Sequence, residues 1–354
     1  MNSRRGVIAL IGLFTFSVLV LGFREKTDLA SLDHAVHSPL RISGRVLPET
    51  PELGLPSEIR VAGEHLVVLD RFADLAVHVL RRSSGAYVGG SGREGDGPGE
   101  FRAPWNMEIV GEARVGILDL KLQRISWFSL QDYEFAGQQS LKGLGTVTDF
   151  VQLPSGDLVA IGSFGGGRLA LTDAQGVFKH YAGDLPPSTS NIPTPVLLHA
   201  YQSYMESRPD GEYLALVTRH AGWLEIYDQS VISIVRTSGP FPFEPKYEVA
   251  QGARGPVMKS GPDLRFGYLD LSATDSRIYS LFSGRLRGAF PDGRAVYGRY
   301  VHVFDWEGNL IEVLELSGDT FAIAVDETGS QMYAIEHLPE PRIMVYDLGA
   351  RSAG

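Results

Sequence analysis

The 354-residue chain carries a formal net charge of −10, contains no cysteine, and spreads 41 glycines and 20 prolines along its length. An acidic surface repels phosphate backbones, which argues against nucleic acid as a partner. Without cysteine there are no disulfides, thiolate metal sites, cysteine nucleophiles or lipid attachment through sulfur.

The N-terminus reads as an export signal. Arg4 and Arg5 precede an apolar run, residues 7–23, and Arg24-Glu25-Lys26 follow it. The pattern fits a secretory signal or a signal anchor, and the sequence leaves open whether it is cleaved or retained as a membrane contact. We divide the chain into a signal or anchor (1–26), a tether (27–39) and one folded unit (40–348). Either export reading places that unit outside the cytoplasm, in the periplasm or at the cell surface.

From Leu40 onward the apolar residues show little helical periodicity. Short runs rich in Val, Ile, Leu, Tyr and Phe are bounded by Gly, Pro, Asp or Ser, which is the strand signal. The runs recur in six groups with the same internal order. The second runs are Leu66–Asp70, Val115–Asp119, Leu158–Gly162, Tyr213–Thr218, Ile278–Phe282 and Gln331–Glu336. The third runs are Ala76–Leu80, Arg124–Phe128, Arg168–Thr172, Leu224–Asp228, Val301–Asp305 and Ile343–Asp347. Turns such as Pro154-Ser155-Gly156-Asp157 and Pro209-Asp210-Gly211-Glu212 suit tight hairpins.

Repeated four-stranded groups at this spacing predict an all-β, six-bladed β-propeller. The last group ends at Asp347, and the run Leu40–Leu47 is available to complete it as an outer strand. Three glycine- or proline-rich stretches, Leu185–Pro195, Gly239–Pro262 and Arg285–Arg299, read as loops projecting from one rim.

Two segments carry a family resemblance. GREGDGPGEFRAP, Gly92–Pro104, resembles the linker between blades of NHL-type and related six-bladed propellers, and DLKLQRISWF follows it at Asp119–Phe128. The stretch Ile278–Asp347, with YVHVFDWEGNLIEVLEL and IMVYDL, resembles a TolB-like propeller family best known as bacterial surface lipoproteins. The resemblance implies an extracytoplasmic binding protein. Phe23 stands where such proteins often carry a lipid-modified cysteine, so that modification is excluded for this chain.

No catalytic motif is present: there is no nucleophile elbow, phosphate loop or H-E-x-x-H pair. Gly90-Ser91-Gly92-Arg93-Glu94-Gly95 matches a dinucleotide fingerprint, but Pro98, Gly99 and Pro104 prevent the helix that motif needs. It reads as a linker, with Arg93 and Arg102 set to pair with Glu94, Asp96 or Glu100. An Arg124–Asp119 ion pair is expected across the neighbouring loop. His34 and His37 fall in the tether, and Trp223, close to His220, is a candidate to face a pocket.

By strand order, one rim gathers the loops carrying Arg71, Arg93, Arg102, Lys121, Arg219, His220, Arg285, Arg287 and His337. This basic group on an acidic chain points to an anionic ligand or an acidic protein partner. No catalytic residue, metal ligand or cofactor is assigned. The function expected is therefore a non-catalytic binding propeller. The alternative is a lactonase-like hydrolase or lyase with a metal in the channel, held by acidic residues of the first runs such as Glu108, Asp149, Glu206 and Asp270.

Overall fold

The computed structural model describes residues 38–184, 192–253 and 255–349. The apolar segment 7–23, His34, His37 and most of the tether lie outside these residues. No helix among the described residues is long and apolar enough to cross a membrane.

The fold is an all-β propeller. Two short strands come first, β1 (Leu40–Ile42) and β2 (Arg45–Val46). Four antiparallel four-stranded sheets follow in chain order. The first holds β3 (Pro56–Ala62), β4 (His65–Asp70), β5 (Val77–Arg81) and β6 (Tyr87–Ser91). The second holds β7 (Pro104–Val110), β8 (Arg114–Asp119), β9 (Arg124–Ser129) and β10 (Phe135–Ser140). The third holds β11 (Thr146–Gln152), β12 (Leu158–Ser163), β13 (Leu169–Thr172) and β14 (Phe178–Ala182). A helix, α1 (Thr194–Ala200), precedes the fourth sheet of β15 (Ser203–Ser207), β16 (Tyr213–Thr218), β17 (Trp223–Asp228) and β18 (Ser233–Ser238).

After a hairpin of β19 (Tyr247–Gly252) and β20 (Gly255–Ser260), the chain enters an eight-stranded sheet. Its strands are β21 (Tyr268–Ala273), β22 (Ile278–Phe282), β23 (Gly298–Phe304), β24 (Leu310–Val325), β25 (Gln331–Glu336) and β26 (Arg342–Asp347), joined by β1 and β2. Strand β24 has two partners in succession: Leu310–Glu315 pairs with β23, and Thr320–Val325 pairs with β25. The N-terminal run behaves as the sequence suggests, because β2 pairs antiparallel with β26 at the outer edge. Strand β1 goes further and pairs in parallel with β24 at Leu314–Leu316, so the two N-terminal strands grip both halves of the sheet.

The first strands of the sheets touch in a closed cycle: β3 on β7, β7 on β11, β11 on β15, β15 on β21, β21 on β24, and β24 back on β3. Each sheet is covered on both faces by its neighbours. On β4, Leu66 and Val68 pack against Tyr333 and Ile335 of the last sheet. Val67 and Leu69 face the other way, toward Met107, Val115 and Ile117. Coverage of both faces is why the second strands are apolar throughout and do not alternate.

The aspartates that close the strand patterns have a structural task. Asp70 accepts the amides of Gly54 and Leu55, and Asp119 accepts those of Arg102, Ala103, Lys121 and Leu122, which ties the linkers between sheets to the ends of second strands. At the ends of third runs, Asp228 accepts the amides of Ser230 and Ile232, and Asp305 those of Glu307 and Asn309, fixing the turns into the fourth strands.

Three expectations need correction. Gly239–Pro262 is not a plain loop but carries the β19–β20 hairpin. Of Leu185–Pro195, residues 185–191 lie outside the described residues, and Thr194 and Pro195 already belong to α1, whose apolar residues Val196, Leu197 and Leu198 are buried. Arg124 does not pair with Asp119: its guanidinium donates to the carbonyls of Asp96, Gly97 and Glu100, while backbone amides occupy the Asp119 carboxylate.

Candidate functional site in the central channel

The strands around the axis place alternate side chains into the channel. Five of them open with a register shift that leaves Glu58, Asn106, Asp149, Asp270 and Ala322 at equivalent positions. A bulge of this kind re-aims a side chain at a strand end. Three of these residues latch neighbouring sheets together. Glu58 accepts the Met107 amide at 2.7 Å, Asp149 that of Met205 at 2.8 Å, and Asp270 that of Ile323 at 2.8 Å.

Two residues further along β3, Arg60 enters the axis with only 8% of its surface exposed. Its Nε lies 3.6 Å from Glu206 and its Nη1 3.8 Å from Asp270, while Nη1 also donates to the Ile59 carbonyl at 2.9 Å. Arg60 lines both cavities of the channel and so divides it in two. One cavity, about 240 Å³, contains Glu58, Asn106, Asp149 and Asp270, with Arg71, Arg219 and Tyr204. The other, about 720 Å³, opens among the first hairpin turns and contains Glu108, Glu206, Glu112 and Glu327.

Arg60 splits the acidic residues of the metal alternative: Asp149 and Asp270 line one cavity, Glu108 and Glu206 the other, and the guanidinium is in ion-pair range of Glu206 and Asp270. Among the described residues no group of three His, Asp or Glu is arranged to hold a metal ion. Glu58 was not singled out from sequence and completes a set of five carboxylates. Burial pushes the Glu58 carboxyl up to about 7, opposed by Arg60. Burial also raises Glu108, Asp149, Glu206 and Asp270, with repulsion from Glu206 adding to the shift at Glu108. At Arg60 burial works against the charge, but Asp270, Glu206, Glu58 and Glu108 together raise its pKa.

Of the nine rim residues expected to bind, the structure brings Arg71 and Arg219 into one cavity. Arg71 stacks 4.1 Å from the Trp105 ring centre and donates to the Trp105 carbonyl; Arg219 donates to the Tyr204 hydroxyl at 3.0 Å. The Nε of each is buried without a hydrogen-bond partner.

The others are placed differently. Arg102 pairs with Asp96 and Glu94, and Arg285 pairs with Asp319 at 2.6 Å. Arg287 donates to Ser260 on β20. His220 is buried against Phe266 with its Nδ1 toward the Ala200 carbonyl, and burial lowers its pKa to about 3. His337 bridges the Tyr297 hydroxyl and the Pro56 carbonyl. The Arg93 side chain is exposed on the linker, and Lys121 follows Asp119 in the next turn. Trp223 does not face the channel cavities; it packs on Tyr201, with ring centres 5.0 Å apart.

Sequence reasoning missed Glu58, Arg60, Asn106 and Tyr204. A signal exists in Glu58-Ile59-Arg60-Val61, where charged residues alternate with apolar ones. In a strand beside the axis, the polar face of that alternation points into the channel and not to bulk solvent.

A fold of this shape with a charged axial channel defines the class as a propeller. Residues 46–328 match the model of the TolB-like 6-blade propeller-like family, and the chain belongs to that family. No curated protein sequence matches the chain.

Solved structures resemble it at the level of fold. A candidate exported protein from Bacteroides fragilis aligns with a TM-score of 0.56 and 14% identity, over 87% of this chain and 93% of that one. The U3-55K structure aligns with a TM-score of 0.52 and 10% identity, over 88% and 100%. Hydrazine synthase from Kuenenia stuttgartiensis aligns with a TM-score of 0.50 and 11% identity, over 84% and 97%.

Proposed function

We propose that this protein is an extracytoplasmic binding propeller of six blades, and that its 240 Å³ channel mouth takes a small anionic ligand. The blade count treats the eight-stranded sheet as two blades, divided where β24 changes partner. Residues 7–23 are the export signal or anchor; the exported description of the Bacteroides fragilis protein and the family's resemblance to surface lipoproteins support that placement.

One observation carries the ligand reading. Arg71 and Arg219, from turns of different sheets, face one cavity, each with a buried Nε free to donate. Guanidinium forks of this kind suit carboxylates. Burial lowers the Arg71 pKa, against the pull of Glu58 and Tyr204 and with a smaller contribution from Arg219, so an incoming anion adds a counter-charge where burial disfavours the cation. The hydrolase alternative loses support because Arg60 splits the carboxylate set it would use.

Calorimetric titration of the purified protein with small carboxylates tests the reading. Binding that falls at least tenfold in Arg71→Ala/Arg219→Ala, with the melting temperature preserved, is expected. Binding indifferent to both arginines rejects it.

A further inference from the structure

We infer that the ligand of this mouth is a zwitterion, a small apolar α-amino acid whose carboxylate meets Arg71 and Arg219 and whose ammonium group sits at Asn106 and the channel carboxylates. The inference rests on the anion-binding reading above and adds the second half of the ligand.

The cavity lining carries both signs of charge: Arg71 and Arg219 share it with Glu58, Asp149 and Asp270. A simple carboxylate answers the two guanidiniums and brings no donor to the acceptors of the same lining; an ammonium group does.

The independent observation is Asn106. It is 4% exposed, lines this cavity, and its Oδ1 has no hydrogen-bond partner, while its Nδ2 is directed at Glu58 at 3.4 Å. A buried acceptor left unpaired costs about 1–3 kcal/mol, so such groups ordinarily have partners. A ligand N–H donor supplies one here. Asp149 and Asp270 give each oxygen to one backbone amide, and each oxygen keeps a further lone pair for an ammonium proton.

Size and wall chemistry fix the class. A cavity of 240 Å³ lies below the roughly 300–1,000 Å³ of pockets for drug-sized ligands. Leu269, Val296, Phe321 and Ala322 form an apolar part of the wall, which suits a short aliphatic side chain. Arg60 closes the inner end, so a longer chain cannot thread through.

The test compares L-valine with isovalerate, which lacks the ammonium group, and isobutylamine, which lacks the carboxylate, by calorimetry at pH 7. Valine is expected to bind at least tenfold more tightly than either. Asn106→Leu should erase the advantage of valine over isovalerate without weakening isovalerate, and Asn106→Asp, which keeps an acceptor there, should retain it. If Asn106→Leu does not fold, Asn106→Asp and the three-ligand comparison carry the test. Equal affinity for valine and isovalerate, with both lost in Arg71→Ala/Arg219→Ala, overturns the zwitterion and leaves the anion site standing. Absence of binding by valine and isovalerate, or binding unaffected by the arginine substitutions, overturns both.

Discussion

The channel carboxylates should make this protein less stable as the pH rises toward neutrality, and Glu58→Gln should remove a defined part of that loss. Glu58 accepts the Met107 amide at 2.7 Å, a bond that the glutamine oxygen can also accept. The variant therefore removes the titration and keeps the latch between sheets. The carboxyl loses its proton near 4.5 in an exposed setting and near 7 in the folded protein. Between those values the folded state holds a proton that the unfolded chain has released. Stability is therefore fully present below 4.5, falls as pH rises, and levels off above 7.

A shift of that size corresponds to about 3 kcal/mol, at about 1.4 kcal/mol per unit. Chemical unfolding at pH 4.5 and pH 8 measures it. The wild type should lose about 3 kcal/mol more than Glu58→Gln between the two pH values. Parallel profiles for the two proteins would refute the reasoning, because Glu58 would then titrate as an exposed group.

Other consequences follow from the same geometry. Removing Leu40–Leu47 takes away both N-terminal strands and the fully buried Leu47, and should lower the melting temperature measurably in calorimetry. Leu47→Ala alone should cost about 2–5 kcal/mol in denaturant unfolding. Arg168, 2% exposed, pairs with the buried Glu225 at 2.5 Å and donates to Ser203, linking the third and fourth sheets. Arg168→Met should cost about 3–5 kcal/mol in the same assay, because it leaves a buried carboxylate short of a partner. Arg102→Ala, which breaks only exposed pairs to Asp96 and Glu94, should change stability by less than about 1 kcal/mol.

The legibility of this sequence varied with the kind of neighbour each residue has. The runs Tyr213–Thr218, Ile278–Phe282 and Gln331–Glu336 coincide with β16, β22 and β25 because sheets covered on both faces leave uninterrupted apolar segments between turns. The helix α1 was missed because it is seven residues long, too short for a helical period to stand out, although Pro195 near its start is a usable sign. The hairpin β19–β20 was missed because both its strands are largely exposed and lack an apolar stripe.

Among the rim residues, charge alone could not separate Arg285, whose partner Asp319 is distant in sequence, from Arg71 and Arg219, which ring closure brings to one cavity. Arg60 was invisible for the opposite reason. A charged residue in an edge-like alternation reads as solvent-facing until the strand is known to border an axis.

The most direct test of the account is a crystal structure of the protein soaked with L-valine. The account predicts one molecule in the cavity between Arg71 and Arg219, its carboxylate toward the two guanidiniums, and none beyond Arg60. A mouth left empty at saturating valine, or a ligand seated instead among Glu108, Glu112 and Glu327 on the far side of Arg60, would contradict it.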